Sequence, residues 1–159
     1  MRMKIVVAGC SCLVGVSMLS VGLTGTADAA DTAISKEEAD GIIFERQNLM
    51  LQLEKDAELL GEIAAGIKPA DKLAEVTRSI ADSAAASKAA FEPRVPGGRS
   101  KPEIWSNWAD YAQRLDNFER DTRKLAELGA KNDLVGVTGM LASALPCKEC
   151  HDVYRAPKI

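Results

Sequence analysis

The spacing of apolar residues constrains this chain most, because from residue 35 onward they recur at steps of three and four. That period places them along one face of an α-helix, which then has to pack against other helices to leave water. No stretch of the sequence combines the two-residue period of a strand with a hairpin turn. The pattern falls into four segments with two short connections and one longer loop. It therefore predicts an all-α protein, an antiparallel four-helix bundle.

The first helix is predicted between two clear signals. Ser35 and Glu38 form a capping box, in which each side chain satisfies a backbone N–H of the first turn. Gly66 and Pro69 end the helix, and the second helix is expected to start near Ala70. The apolar seam of the first helix comprises Ile43, Met50, Leu53, Ala57, Leu60 and Ala64.

The third helix is predicted to begin at a second capping box, from Ser100 to Glu103, after a loop rich in proline and glycine. It is predicted to stop at Gly129. Either Asn132 or Asp133 then caps the fourth helix.

Pro146 lies inside the predicted fourth helix, which runs towards Tyr154. A proline here lacks the N–H that would bond to the carbonyl of Ala142, and its ring crowds that turn. We therefore expect the fourth helix to kink or restart at this point.

The first 29 residues are predicted to be a signal peptide that is cleaved after Ala29. A basic start with Arg2 and Lys4 precedes an uncharged apolar run over residues 5–23, and small residues follow where a signal peptidase reads. The domain of residues 30–159 would then be exported to the periplasm. Because the apolar run is longer than usual, an uncleaved membrane anchor stays open as the alternative.

The charge balance argues against one class of partner. The chain has 20 basic and 23 acidic residues and a formal net charge of −3. Since no basic excess is available to neutralise phosphates, nucleic acid is not an expected partner.

Two cysteines and the only histidine of the chain stand together in Cys147–His151, with the sequence Cys-Lys-Glu-Cys-His. This C-x-x-C-H spacing is the signature of c-type haem attachment, in which the two thiols add to the two vinyl groups of the porphyrin and the next imidazole reaches the iron. The motif therefore predicts one haem c, bound through Cys147 and Cys150 with His151 as an axial ligand.

Three other interpretations of this motif fit the sequence less well. A thioredoxin-type pair would need a strand and helix setting that is missing from this helical pattern. A zinc site would lack a second cluster to complete four ligands, and a structural disulfide would leave the adjacent histidine unexplained. A haem-free thiol–disulfide protein remains the distant alternative.

Other segments combine with the motif into a more specific pattern. They are Arg46-Gln47-x-x-Met50, Leu60-Gly61-x-Ile63-x-x-Gly66, Lys101-Pro102-Glu103-Ile104-Trp105-Ser106, and Asp152-x-Tyr154-Arg155 directly after the attachment motif. With haem attachment on the last helix of a bundle, the chain resembles the class II cytochromes c, which comprise cytochrome c prime and its low-spin relatives. The resemblance covers the whole exported domain.

The resemblance implies roles for individual residues. Cys147 and Cys150 would carry the covalent links, and His151 would be the proximal ligand. Arg46 and Gln47 stand where the family places polar contacts to the haem and its propionates, and Arg155 would lie on the proximal side, near a propionate or a carboxylate. The alternative for the two arginines is an ordinary solvated side chain.

Met50 separates two functional hypotheses. In the low-spin branch of the family a methionine here is the sixth iron ligand, and the protein carries electrons; this is our first hypothesis. In cytochrome c prime the position covers an open site that binds NO or CO, which is the alternative. A thioether on the apolar seam is equally consistent with core packing, so residue type alone does not decide.

The same resemblance sets expectations for partners and turnover. Redox proteins are the expected partners, and family members often form homodimers through their first two helices. We expect no enzymatic activity, because the side opposite His151 offers no second histidine and no evident general base.

Overall fold

The protein is described by a computed structural model over residues 34–158. The predicted signal peptide, residues 1–29, lies outside the described residues. Within them the chain forms six α-helices and one 3₁₀ turn, and the all-α prediction is confirmed. The elements are α1 (Lys36–Ala64), the 3₁₀ turn (Ala70–Lys72), α2 (Leu73–Phe91), α3 (Glu103–Ser106), α4 (Trp108–Ala130), α5 (Leu134–Ala144) and α6 (Cys147–Tyr154).

These elements build the four rods of a bundle. Helices α1 and α2 are the first two rods, α3 with α4 forms the third, and α5 with α6 forms the fourth. Helix α2 packs against both α1 and α4, and α5 packs against α4. Among residues 34–158, no helix is long and apolar enough to cross a membrane.

Three helix ends that were predicted from local sequence signals are confirmed. The Ser35 hydroxyl accepts a hydrogen bond from the N–H of Glu38 at 3.1 Å. Gly66 ends the first rod with a φ of +70°, a left-handed conformation that favours glycine. At the start of α5, the Asp133 carboxylate accepts from the N–H of Gly136 at 2.9 Å, so Asp133 and not Asn132 is the cap.

The third rod differs from its prediction in two ways. Pro102 stands at the N-terminal end of α3 with no side-chain cap, so the capping box from Ser100 to Glu103 does not form. The rod is also interrupted at Asn107, whose φ of −122° and ψ of 44° separate α3 from α4. Long-range contacts explain both differences, since Ser100 pairs with Arg155 and the Asn107 side chain donates to the Tyr154 hydroxyl.

The predicted break at Pro146 is confirmed. Helix α5 ends at Ala144, Leu145 leaves the helical region with a φ of −120° and a ψ of 65°, and α6 begins at Cys147. The attachment motif therefore lies on a short helix of its own, which Leu145 and Pro146 separate from α5.

The core consists of two clusters of different composition. The aliphatic cluster joins α1, α2, α4 and α5, and comprises Leu60, Ile63, Leu73, Val76, Ile80, Leu125, Val137 and Ala144. The aromatic cluster lies beside α6, and comprises Phe91, Ile104, Trp105, Tyr111, Leu115 and Tyr154. The site described next is built on the aromatic cluster.

Candidate functional site

The aromatic cluster brings the two ends of the predicted site together. Met50 from α1 and Cys150 from α6 are both half-buried and both pack against it, although 100 positions separate them in the sequence. Tyr111 lies at the centre of this cluster, with its ring edge-on to Phe91 at 5.5 Å and to Tyr154 at 4.8 Å between centroids. The Met50 thioether and the Cys150 thiol therefore both lie against the apolar surface of the aromatic cluster.

Helix α6 places the attachment residues on neighbouring positions of one helical face. Residues three and four apart are neighbours on a helix surface, which brings Cys147 next to both Cys150 and His151. Cys147 is exposed and Cys150 is half-buried, and no disulfide joins them. Partial desolvation of the sulfur atoms raises the pKa of each thiol above its ordinary value. Thiol–disulfide catalysis uses a cysteine of lowered pKa, so this environment does not favour that chemistry.

The imidazole of His151 is half-buried on the same helix. Burial lowers its pKa, and the positive charges of Arg155 and Arg99 lower it further. A neutral imidazole is the form that ligates a metal. The surroundings of His151 therefore favour the state that an axial ligand needs.

The orientation of α6 is fixed by hydrogen bonds to α4. The Tyr154 hydroxyl donates to the Asp110 carboxylate at 2.5 Å and accepts from the Asn107 side chain at 3.0 Å. Arg114 donates to the same carboxylate at 2.6 Å. Because Tyr154 follows His151 by three residues, this network sets the rotation of the helix that carries the imidazole.

Arg46 has a role that sequence reasoning missed. Its side chain is buried, and its guanidinium donates to the carbonyls of Ala90, Val95 and Pro93 at 2.6–2.7 Å. The guanidinium carbon also lies 5.1 Å from the ring centroid of Phe91. Arg46 thus fastens the loop after α2 to α1, one helical turn before Met50. The capacity of arginine to bind several carbonyls could have suggested this, but nothing in the sequence shows which carbonyls.

The two other residues predicted to contact the cofactor are exposed. Gln47 lies on α1 against the loop, with its Nε2 3.0 Å from where a Cβ on Gly98 would stand. Arg155 follows α6, and its backbone N–H donates to the carbonyl of His151 at 3.0 Å. Contacts of Arg46, Gln47 and Arg155 with a cofactor remain predictions.

Comparison with known proteins identifies the family. The family model described as Cytochrome C′ matches residues 41–155, which is most of the chain. The chain belongs to the cytochrome c prime family. The resemblance found in the sequence is thereby confirmed.

Individual relatives agree with this assignment. Cytochrome c′ of Alcaligenes xylosoxydans xylosoxydans is 37% identical over 71 residues, which are 44% of this chain and 56% of that protein, so the match spans little more than half of the relative. The structure of ferric cytochrome c prime from Alcaligenes xylosoxidans superposes with a TM-score of 0.70 at 26% identity, covering 76% of this chain and 97% of that one. A ferrous variant of that protein gives the same TM-score at 25% identity.

As a member of the cytochrome c prime family, the chain binds one covalently attached haem c. The donor set fits this group, because α6 offers two thiols at the required spacing, an adjacent imidazole and an apolar surface beside them. Cys147 and Cys150 would hold the haem, and His151 would be its axial ligand. The haem-free alternative is set aside.

Proposed function

We propose that this chain is an exported carrier of single electrons, with the Met50 thioether as the sixth ligand of its haem iron. The observation that carries the proposal is the position of Met50, half-buried on the same apolar surface as Cys150. Methionine paired with histidine is the ligand set of many electron-carrying cytochromes, and it raises the reduction potential.

The chain's own residues suit a rigid electron carrier. When bound, haem c supplies one-electron Fe(II)/Fe(III) cycling. Arg46 ties α1 to the loop after α2 beside Met50, and Tyr154 ties α6 to α4 beside His151. Because both sides of the haem site are fixed in this way, the residues around it move little when the iron changes its oxidation state. No substrate turnover is part of the proposal, because the chain has one histidine and the proposal assigns it to the iron as a ligand.

We place this function in the periplasm. The apolar run over residues 5–23 after a basic start supports export, as do the small residues before position 30. The location also agrees with covalent haem attachment to a C-x-x-C-H motif. N-terminal sequencing of the protein from a bacterial periplasm would locate the cleavage that we place after Ala29.

Binding of NO or CO is the second candidate. One observation favours it: the similar solved structures include nitric oxide complexes of variants of cytochrome c prime from Alcaligenes xylosoxidans, with TM-scores of 0.67 and 0.70. In this candidate Met50 covers the face opposite His151 without ligating iron, and its flexible side chain moves aside for the gas.

The visible absorption spectrum of the holoprotein separates the two candidates. It is recorded oxidised and reduced, with and without CO. Sharp low-spin bands that CO leaves unchanged would support electron transfer with a sixth ligand in place. Broad high-spin bands that shift on addition of CO would overturn the first candidate and support gas binding.

A further inference from the structure

Among residues 34–158, half of the basic residues without an ion-pair partner in that range lie close together in the fold. Residues 34–158 contain 18 lysines and arginines, of which ten form ion pairs with carboxylates of the described chain. Of the other eight, Arg46 is buried. Four more fall within residues 99–101 and 155–158, and we call them the basic surface: Arg99, Lys101, Arg155 and Lys158.

Backbone pairing holds the two segments of the basic surface together. Ser100 and Arg155 form an antiparallel bridge. On either side of it, the N–H of Ala156 donates to the carbonyl of Arg99 at 2.8 Å, and the N–H of Lys101 donates to the carbonyl of Tyr154 at 3.1 Å. The backbone positions of Arg99, Lys101 and Arg155 are therefore fixed by the fold, and Lys158 follows three residues after Arg155.

The basic surface lies beside the attachment helix. Lys101 donates through Nζ to the carbonyl of Val153 in α6 at 2.6 Å. Arg99 and Arg155 are close enough to His151 to influence its electrostatic environment. Two carboxylates also act on His151, those of Asp152 and of Glu54 on α1. The charge of Asp152 is partly neutralised because it is paired with Lys148. A locally positive region thus borders the predicted haem site of a chain with a net charge of −3.

We propose that the basic surface docks an acidic face of a redox partner protein and brings that partner to the haem edge beside α6. The inference rests on the proposed electron-transfer function. Val153 is 41% exposed among these charges and provides a small apolar contact within a charged rim, as in weak interfaces between proteins. Complementary charge of this kind speeds encounter and orients the partner more than it tightens the complex.

An acidic protein fits this surface better than an anionic membrane. Binding in the membrane interface uses large apolar side chains, above all tryptophan, phenylalanine and leucine, beside the basic ones. At the basic surface, the only large apolar side chain that is exposed among the described residues is Val153. Phe44 and Leu51 are exposed on α1, outside the segments that form the basic surface.

The first experiment uses ferricyanide as an anionic probe of the reduced holoprotein. Ferricyanide takes one electron and becomes ferrocyanide, while the protein passes from its reduced to its oxidised state. The screening length shortens from about 30 Å at 10 mM salt to about 8 Å at 150 mM. If the basic surface directs encounter, the second-order rate falls by roughly three- to tenfold over this range. If the net charge of the protein governs encounter, the rate instead rises with salt, which would overturn the proposal.

Matched variants separate local from overall charge. Lys101→Glu with Lys158→Glu is expected to flatten or reverse the salt dependence. The control, Lys55→Glu with Lys131→Glu, changes the net charge by the same amount and is expected to keep the parental slope. These two lysines lie outside the segments of the basic surface and form no ion pair with carboxylates of residues 34–158. Equal effects of the two double variants would overturn the proposal. The single variant Lys158→Glu is a safeguard in case the double variant misfolds, because Lys158 is exposed and its replacement should not disturb the fold. Its salt dependence should lie between those of the parent and the double variant, whereas Lys55→Glu should keep the parental salt dependence.

Two further readouts identify the class of partner and the source of any failure. Electron exchange with a carboxylate-terminated monolayer on gold, a model of an acidic protein face, should slow in the Lys101→Glu, Lys158→Glu variant and not in the control. Co-sedimentation with phosphatidylglycerol vesicles that depends on these same lysines would overturn the protein partner in favour of a membrane.

The failure of this inference can be told apart from the failure of the proposed function, because ferricyanide oxidises the reduced protein whether or not Met50 ligates iron. An oxidation rate of the parent protein that rises with salt contradicts the docking surface alone. A visible spectrum that changes on addition of CO contradicts the proposed function alone.

Discussion

The guanidinium of Arg46 donates from Nη1 to the carbonyl of Val95 at 2.6 Å, and so joins the middle of α1 to the loop between α2 and α3. Only 3% of Arg46 is exposed, and no carboxylate within the described residues pairs with it in an ion pair. Its charge is accommodated by carbonyl oxygens and by the faces of Phe91 and Trp105, at 5.1 and 5.2 Å. Burying a charged guanidinium costs free energy, and these contacts together offset that cost, so the loss of any one of them should destabilise the fold.

We therefore expect Arg46→Met to lower the stability of the holoprotein by about 3 kcal/mol or more, because the substitution removes three hydrogen bonds from a charged donor, one of them to the buried carbonyl of Val95. Urea unfolding followed by circular dichroism measures the loss. Arg46→Lys should recover little of it, since one ammonium cannot reach three carbonyls. The control is Arg78→Met, an exposed arginine 3.8 Å from Asp82, for which a loss of about 0.5 kcal/mol or less is expected. Equal losses in Arg46→Met and Arg78→Met would contradict the role given to Arg46.

Tyr154→Phe tests the link between α6 and α4. Hydrogen bonds from Arg114 and Tyr154 hold the pKa of Asp110 below its ordinary value of 3.8 in the folded protein. Because the folded pKa is the lower one, Asp110 stabilises the fold above its unfolded pKa, and this contribution is lost as the pH falls through the folded pKa. Tyr154→Phe removes one of the two bonds, so the pKa of Asp110 should rise towards 3.8, and Arg114→Met should raise it more. A carboxyl-carbon NMR titration of the reduced protein measures both shifts, and no change in Tyr154→Phe would mean that the bond does not form in solution.

The sequence predicted best those features that short stretches of chain determine. The cap at Ser35, the end of the first rod at Gly66 and the break at Pro146 depend on residues within a turn of each other, and the structure contains all three. The bundle itself follows from the three-and-four period, because an amphipathic helix has to bury one face. The attachment motif is equally local, since its chemistry requires fixed spacing.

Structural features that depend on contacts between residues far apart in the sequence were not predictable from local patterns. The motif from Ser100 to Glu103 is a good capping box by sequence, but the backbone of Ser100 pairs with Arg155. The break at Asn107 depends on a hydrogen bond to Tyr154, 47 residues later. Arg46 reaches carbonyls more than 40 residues away. Each of these requires the fold to be known first.

Gly129→Ala tests the close approach of α4 to α2. A Cβ at Gly129 would stand 2.0 Å from the Thr77 hydroxyl oxygen and 2.9 Å from the Thr77 Cβ, inside a fully buried contact. We expect the helices to separate at a cost of about 1–3 kcal/mol. Gly61→Ala is the control, because nothing lies within 4 Å of a Cβ there, and it should stabilise α1 by about 0.5–1 kcal/mol. Thermal unfolding compares the two variants, and a stabilised Gly129→Ala would show that the contact is looser than the structure indicates.

Self-association is expected through α1. Phe44 and Leu51 lie two helical turns apart on this helix, with 64% and 48% of their surface exposed. The family resemblance predicts a homodimer that packs the first two helices, and these side chains offer an apolar contact for it. Phe44→Ser with Leu51→Ser should weaken the dimer in sedimentation velocity, while Val135→Ser, at an 85% exposed position on α5, should not. A parent protein that is monomeric up to millimolar concentration would contradict this expectation.

Met50→Leu tests the proposed sixth ligand most directly. Leucine has nearly the volume of methionine, so packing against the aromatic cluster is retained and stability should change by less than about 1.5 kcal/mol. The thioether is lost, however, and if it ligates iron the low-spin bands should disappear, CO should bind, and the reduction potential should fall. Met140→Leu is the matched control, since Met140 packs against the aliphatic cluster and its replacement should leave the spectrum unchanged. An unchanged spectrum in Met50→Leu would mean that Met50 only packs, because a ligand cannot be removed without altering the electronic state of the iron.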